Sequence, residues 1–435
     1  MPLVLRLFGQ GASDPWRAAW LRRVMAMFGL GLLAVTWRLW TPQQVFPQVP
    51  LVALATKLPG WCDWLGLAGM TLGLLLALVA PDQGRWANRG LLLFAASAAA
   101  LFALDQNRLQ PWAYQFVIMA LVLAWADARS GIALARLFVA SFYFHSALTK
   151  FDFSFLHTLG QQFLAALAGV AGGSIENWND SARLAAALVF PLGELAVAAG
   201  LCFARTRSAA LVGALALHVL LLVILGPWGL DHKPGVLLWN VYFIVQDVLL
   251  FAPDSWLRRL GRWPPQPVDE PARLPWRVRG LVAAVVLLPL LAPIGWFDMW
   301  PSWGLYAASS ERVVLLVHRS QLDALPDSLA PFVETPQESD DPWLRVRLDR
   351  WALAALGAPI YPQCRFQLGA AQALIERYVP GHRVRVVRLG LADRWTGARA
   401  HDVLTSLAQL QAAGDEYIWN TLPRRDQFAA AARVD

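Results

Sequence analysis

Three residue types with proton chemistry gather in Phe142-Tyr143-Phe144-His145-Ser146-Ala147-Leu148-Thr149-Lys150-Phe151-Asp152: a histidine, a lysine and an aspartate at the end of an apolar run. The lysine stands out because thirty-four of the chain's thirty-seven basic residues are arginines, and only Lys57, Lys150 and Lys233 are not. A desolvated lysine can lose its proton, which a guanidinium in practice cannot, so an apolar-flanked lysine is a candidate base. The plainer reading is an interfacial lysine whose stem lies in the apolar layer and whose ammonium reaches the headgroups. Other ionisable residues sit inside apolar runs, where each is costly and is either a site residue or a tie between helices: Arg38, Asp105, Glu194, His218 and Asp247, with Asn240 and Gln246 as neutral partners. Glu194 follows Phe190-Pro191-Leu192-Gly193, where the proline frees backbone carbonyls, and His218 is its expected partner. Leu104-Asp105-Gln106-Asn107-Arg108-Leu109-Gln110-Pro111-Trp112 places an acid, a base, amides and an indole in one loop. It is either one wall of a pocket, through Asp105, Arg108 and Trp112, or a capped, salt-bridged hairpin. Asp231-His232-Lys233 reads as a solvated loop.

The elements that position these residues follow from composition. A chain of 435 residues that is 57% hydrophobic and 15% charged, with mean hydropathy +0.44, reads as a polytopic membrane protein. The net charge of +7 and the twenty-two tryptophans suit cytoplasmic loops and headgroup belts, so nucleic acid is not needed to explain the charge. An apolar core of about 30 Å takes roughly 17 to 25 helical residues. Nine segments approach that length: 24 to 40, 64 to 80, 90 to 106, 111 to 127, 133 to 150, 183 to 204, 208 to 226, 235 to 252 and 279 to 297. With the N-terminus inside, the inner segments hold sixteen basic residues and the outer loops five, which places the C-terminal part outside. The first apolar run starts after Arg22-Arg23 and lacks a small-residue cleavage pattern, so it is expected to remain as the first span.

Phe153, Phe155, Leu156, Leu159, Phe163, Leu164 and Leu167 predict an amphipathic helix on the outer leaflet, ended at Ala171-Gly172-Gly173-Ser174. Trp263 to Pro275 reads as a proline-rich linker. From Asp298 the composition becomes that of a soluble domain. Strands are expected at Val313 to His318, Leu344 to Leu348 and Val384 to Leu389, and helices at Gln321 to Phe332 and Gly369 to Tyr378. The fold class is thus an all-α bundle of about nine transmembrane helices over residues 1–297, N-terminus cytoplasmic, with a small extracytoplasmic α+β domain over 298–435.

Cys62, Cys202 and Cys364 contain no CxxC pair, so neither a redox dithiol nor a zinc site is expected; a Cys62–Cys364 disulfide is one option for the outer side. No metal is expected. Nucleophile-elbow, phosphate-loop and HExxH motifs are absent, which argues against a hydrolase, an NTPase or a zinc enzyme, and no repeated halves point to a transporter. What remains is a lysine, histidine and glutamate set suited to proton abstraction or proton-coupled chemistry on a lipid-soluble molecule such as a quinol.

These residues resemble the membrane domain of vitamin K-dependent γ-glutamyl carboxylase and its bacterial relatives, the horizontally transferred transmembrane (HTTM) domains. The resemblance rests on Tyr143-Phe144 followed by Ser146 to Asp152, then Glu194, Thr206-Arg207 and His218 in order, then Trp239-Asn240 through Phe251-Ala252-Pro253, and covers about residues 16 to 297. The family's paired lysines stand here as Thr149-Lys150. The resemblance implies nine spans, Lys150 as a base, Glu194 and His218 beside it, and a lipid pocket to which Tyr143, His145, Asp152, Trp239 and Asn240 belong with the Asp105 to Trp112 loop. A weaker likeness to the DoxX and MauE membrane proteins implies instead a non-catalytic, redox-associated or assembly role, in which residues 298–435 bind an extracytoplasmic protein. Enzyme and accessory readings both stand, each in a bacterial inner membrane and each in contact with lipid.

Overall fold

The computed structural model describes residues 8, 11, 13–82, 84–257, 274–334, 341–379 and 383–424; most of the proline-rich linker lies outside them. The chain is mostly helical, with a small C-terminal sheet. Its long helices are α1 (Asp14–Val35), α2 (Trp61–Val79), α3 (Arg85–Leu104), α4 (Pro111–Trp125), α5 (Ala128–Leu148), α8 (Asp180–Cys202), α9 (Arg207–Leu225), α10 (Pro234–Phe251) and α11 (Trp276–Leu287); α6 (Phe153–His157) and α7 (Leu159–Val170) are shorter. Among the described residues, eight helices are long and apolar enough to cross a membrane, the last counted through the 3-10 turn Leu288–Ile294; α4 is apolar but shorter. Eight of the nine expected segments therefore fall on long helices. The first begins ten residues earlier than expected, because Asp14 opens it with an acid in the first turn and the run to Arg23 stays helical. It ends at Val35, and Trp37–Trp40 is a separate turn after Thr36.

Local chemistry sets these ends. Asp127 caps α5 through the N–H groups of Arg129 and Ser130, Asn179 caps α8 through that of Ala182, and α10 starts on Pro234. The helix expected after Phe151 is two, α6 and α7, split at Thr158 and ended at Ala171. Pro191 lies inside α8, which continues to Cys202.

By compactness the described chain forms two units. The first comprises Met1–Leu32, Gly69–Ala96 and Pro111–Ala308; its central helix is α5, 83% of whose apolar window is buried against 28–50% for the other long helices. Within it, α2 and α3 meet at two glycines. A Cβ on Gly73 would stand 2.5 Å from the Phe94 nitrogen, and one on Gly90 would stand 2.8 Å from the Gly73 carbonyl oxygen. Such small-residue contacts let helix backbones approach.

The second unit comprises Leu33–Ala68, Ser97–Gln110 and Ser309–Asp435. Its sheet has the order β2-β3-β1-β4-β5, antiparallel throughout: β1 (Arg312–His318), β2 (Val333–Glu334), β3 (Trp343–Val346), β4 (Val384–Leu389) and β5 (His401–Leu404). Leu315 pairs with Val346 on one side and Val386 on the other, and alternation buries Val313, Leu315, Val317, Leu344, Val346, Val384 and Val386. Helices α12 (Leu348–Leu356), α13 (Cys364–Tyr378) and α14 (Leu407–Asp415) complete it, with α13 against β1 and β4. The helix expected at Gln321 to Phe332 is instead two 3-10 turns, Arg319–Ala324 and Ala330–Phe332, because Pro326 and Pro331 withdraw N–H donors. The strand expected to reach Leu348 ends at Val346, and Leu348 opens α12. Cys62, Cys202 and Cys364 are free thiols.

Gly73→Val is expected to destabilise the chain by about 1–3 kcal/mol through overpacking. Thermal unfolding in detergent would measure it against Gly280→Ala, where an added Cβ meets nothing within 4 Å; equal midpoints for the two variants would refute the close approach.

Candidate functional site

Lys150 lies two residues past the end of α5, and its side chain turns back along that helix. Its ammonium donates to the Ser146 hydroxyl at 2.6 Å and to both Glu194 oxygens at 2.8 Å, with the Ser146 carbonyl at 3.3 Å. Lysine and glutamate are only 4% and 7% exposed, so this ammonium does not reach outward to headgroups. Glu194 pairs with Lys150 rather than with His218, contrary to the expectation from sequence. The reason is connectivity: α5 and α8 pack side by side, and a four-residue backward turn brings the lysine to the carboxylate.

His218, near the middle of α9, has different partners. Its Nδ1 lies 2.9 Å from Asn240 Oδ1 and its Nε2 lies 2.7 Å from the Tyr143 hydroxyl, which in turn lies 2.5 Å from Asp247 Oδ2. Phe243 stacks on the imidazole at 4.7 Å with planes 15° apart. Tyr143, His218 and Asp247 are all buried. Tyr143 lies on α5 and Lys150 two residues past its end, so one helix brings together the hydrogen-bonded chain on α9 and α10 and the ion pair with α8.

The remaining candidates divide between wall and scaffold. Trp239 donates to Gln115 at 2.7 Å, Gln115 donates to Gln246 at 3.0 Å, and Phe142 stands edge-on to the Trp239 ring. His145 meets the Val286 carbonyl at 2.9 Å, which ties α5 to α11. Asp152 caps α6 through the Phe155 N–H at 2.6 Å. Trp112 packs edge-on to Phe116. His232 lies against Tyr306.

Asp105 and Arg108 work inside the second unit. Asp105 caps the turn Gln106–Arg108 through the Asn107 N–H. Arg108 donates to the carbonyls of Leu39 and Thr41 at 2.9 and 3.1 Å and pairs with Asp63 at 2.5 Å, whose other oxygen takes Arg424 at 2.7 Å. Gln106 accepts from Arg365 and donates to the Asn420 carbonyl, both at 2.8 Å, while Asn107 Oδ1 accepts the Tyr361 N–H at 2.6 Å. The polar loop is thus the buried tie of this unit.

Sequence reasoning left Asp247 without a role, although it stood among the ionisable residues inside spans. It did not find Asp63 or Ser146; four-residue spacing from Lys150 was the available signal for Ser146. Among the described residues, no group of three His, Cys, Asp or Glu side chains is placed to hold a metal ion.

No protein-family model, no curated protein and no solved structure matches the chain.

Burial pushes the Asp105 carboxyl up to about 7, against the nearby Arg108 guanidinium that lowers it. The folded chain then binds a proton at Asp105 that the unfolded chain releases near pH 4, so stability falls as pH rises from about 4 to 7. Asp105→Asn is expected to remove this slope, on the order of 4 kcal/mol across the window. Unfolding midpoints of both proteins from pH 5 to 8 would check it, and parallel curves would contradict the shift.

Proposed function

We propose that the chain is an integral membrane enzyme whose bundle carries out proton abstraction on a lipid-soluble molecule of the quinol class at Lys150. In this reading the eight long helices and α4 make nine crossings of a bacterial inner membrane, with the N-terminus cytoplasmic and the C-terminal sheet outside. The membrane domain is of the vitamin K-dependent γ-carboxylase-like, HTTM kind. Support for the membrane setting comes from the helix ends. Exposed Trp20, Trp86, Trp256 and Trp276 lie at arginine-rich ends, while Trp37, Trp61, Trp178, Trp228 and Trp296 lie at the opposite ends.

The observation that carries the functional reading is the buried ion pair of Lys150 with Glu194, at the end of the helix that also holds Tyr143 of the Tyr143–His218–Asp247 chain. A charged pair in an apolar interior is strongly coupled, and one proton transfer turns it into a neutral amine and a neutral acid. Lys150 gives its proton to Glu194; the freed amine lone pair takes the proton of a substrate hydroxyl; the products are Lys150 ammonium, protonated Glu194 and a substrate oxyanion. Ser146 holds the amine in place, and the oxyanion forms beside a cation. Asp105 and Arg108 have no part in this step, since their groups are engaged with Asn107 and with Asp63, Leu39 and Thr41.

Lys150→Ala is expected to abolish quinol oxidation in air and the retention of quinone through purification. Lys150→Arg should keep the Glu194 partner and the fold without restoring either, because guanidinium does not release its proton. Full activity in Lys150→Arg would reduce the pair to a structural tie, and a protein that holds no quinone and oxidises no lipid quinol would end the reading.

A second reading, an assembly or accessory protein like the DoxX and MauE group, is favoured by the apolar surface of the second unit, where Ile418 is 97% exposed, Trp395 77% and Trp419 47%. Because residues 309–424 share their unit with 33–68 and 97–110, the whole chain is the proper bait. Ile418→Asp should release an extracytoplasmic partner that the unaltered chain retains; retention of the same partner by both would clear this surface.

A further inference from the structure

The Tyr143, His218 and Asp247 contacts contain a proton count that goes beyond the quinol reading. Asn240 donates its amide N–H to the Val236 carbonyl at 2.8 Å, which orients Asn240 Oδ1 toward His218 Nδ1. A carbonyl oxygen only accepts, so Nδ1 carries a hydrogen. Two contacts remain, Nε2 to the Tyr143 oxygen at 2.7 Å and that oxygen to Asp247 Oδ2 at 2.5 Å, and each requires one proton. Tyrosine supplies one. The other sits on Asp247, with a neutral imidazole, or on Nε2, with a carboxylate. Both forms hold the same number of protons and carry no net charge, and they differ by moving both protons one step.

We infer that these three side chains form a two-proton relay that rests in the uncharged form, with Asp247 donating to Tyr143 and Tyr143 donating to His218. The environment selects this form. Asp247 Oδ1 is buried without a hydrogen bond, and so are the Tyr242 hydroxyl and the Gln246 amide nitrogen on the same helix. A carboxylate there would leave one charged oxygen bare in an apolar interior, whereas a neutral acid leaves only a carbonyl oxygen.

The groups that face the relay are few. Among the described residues, the buried polar groups on the helices that build it include His145 on α5, Lys150 just past its end, Glu194 on α8, and Gln246 on α10. Lys150 and Glu194 cancel one another, so the resting relay feels little net field. Negative charge that develops beside His218 shifts both protons: the bond from Asp247 oxygen to hydrogen breaks as Tyr143 takes that proton, and the tyrosine proton passes to Nε2. The result is an imidazolium that faces the new charge and a carboxylate one step deeper. Asp247 and Tyr143 are positioning residues in this scheme, since they act through His218. Asn240 fixes the tautomer and is seven residues from Asp247, about 10 Å along α10.

The test needs no substrate, so its failure is separate from failure of the quinol reading. On the purified full chain at neutral pH, nitrogen-15 resonances of His218 should show a neutral ring with hydrogen on Nδ1. Infrared difference spectra, taken in an Asp105→Asn background so that the Asp105 carboxyl does not contribute, should show a protonated-carboxyl band that shifts in D2O and is lost when Asp247→Asn is added. That variant should fold, because its amide N–H donates to Tyr143 and the chain of bonds persists, with His218 resonances unchanged. Tyr143→Phe should move the Nε2 resonance and the carboxyl band together. An imidazolium in the unaltered protein, a neutral ring with hydrogen on Nε2, or a carboxyl band that survives Asp247→Asn in the Asp105→Asn background would each overturn the relay.

Discussion

Polar groups inside an apolar bundle have no water to turn to, so an unpartnered one is costly, and this constraint organises most of the first unit, with Asp247 Oδ1 and the Tyr242 hydroxyl as exceptions. Helix C-termini are the clearest case, because their last carbonyls lack intrahelical donors. Arg17 donates to the carbonyls of Leu249 and Ala252, Arg136 to that of Leu250, and Arg22 to those of Ala77 and Ala80. Three arginines that a charge count reads as topology signals therefore also close the ends of α10 and α2. Asp14, Asp82 and Asp254 then hold the guanidinium groups in place.

Buried ion pairs answer the same requirement at a different energetic balance. Desolvation roughly offsets the attraction, so a pair adds little net stability, while removal of one partner costs about 3–5 kcal/mol. Lys150 with Glu194 thus fixes the register of α5 against α8 more than it strengthens their packing. Asp63 does the same in the second unit, where Arg108 and Arg424 hold its two oxygens and join residues far apart in sequence. Phe46 edge-on to Trp351 and the close approach of Gly369 to Thr421 and Val49 surround that tie with dense packing.

Elements were legible where the signal is local. Apolar runs marked the long helices, the run Val313 to His318 marked β1, alternation marked β3 and β4, and Ala171-Gly172 marked the end of α7. Pro326 and Pro331 were equally local, and the expected helix across them gave too much weight to apolar spacing and too little to the missing donors. Partnerships were not legible, because nothing in a single sequence states which faces of separate helices meet. Glu194 and His218 are central in neighbouring helices of the chain, yet each found a partner on α5 or just past its end, at Lys150 and Tyr143. The second unit was hidden for the same reason: Leu33–Ala68 and Ser97–Gln110 read as span ends and loops, and only contacts assign them to the sheet.

The scarcity of lysine takes on a physical meaning against this background. Arg17, Arg22, Arg108, Arg136 and Arg424 each spread their donors over backbone carbonyls as well as a carboxylate, a task for which a planar five-donor fork is suited. Lys150 does something else. Its ammonium places its donors on one serine and one glutamate, and both Glu194 oxygens are engaged at equal distance. An arginine could satisfy the same carboxylate, and thirty-four of the chain's thirty-seven basic residues are arginines. A lysine among so many arginines, bound to a buried carboxylate, is what the proposed proton abstraction requires, because an ammonium can release its proton and a guanidinium in practice cannot.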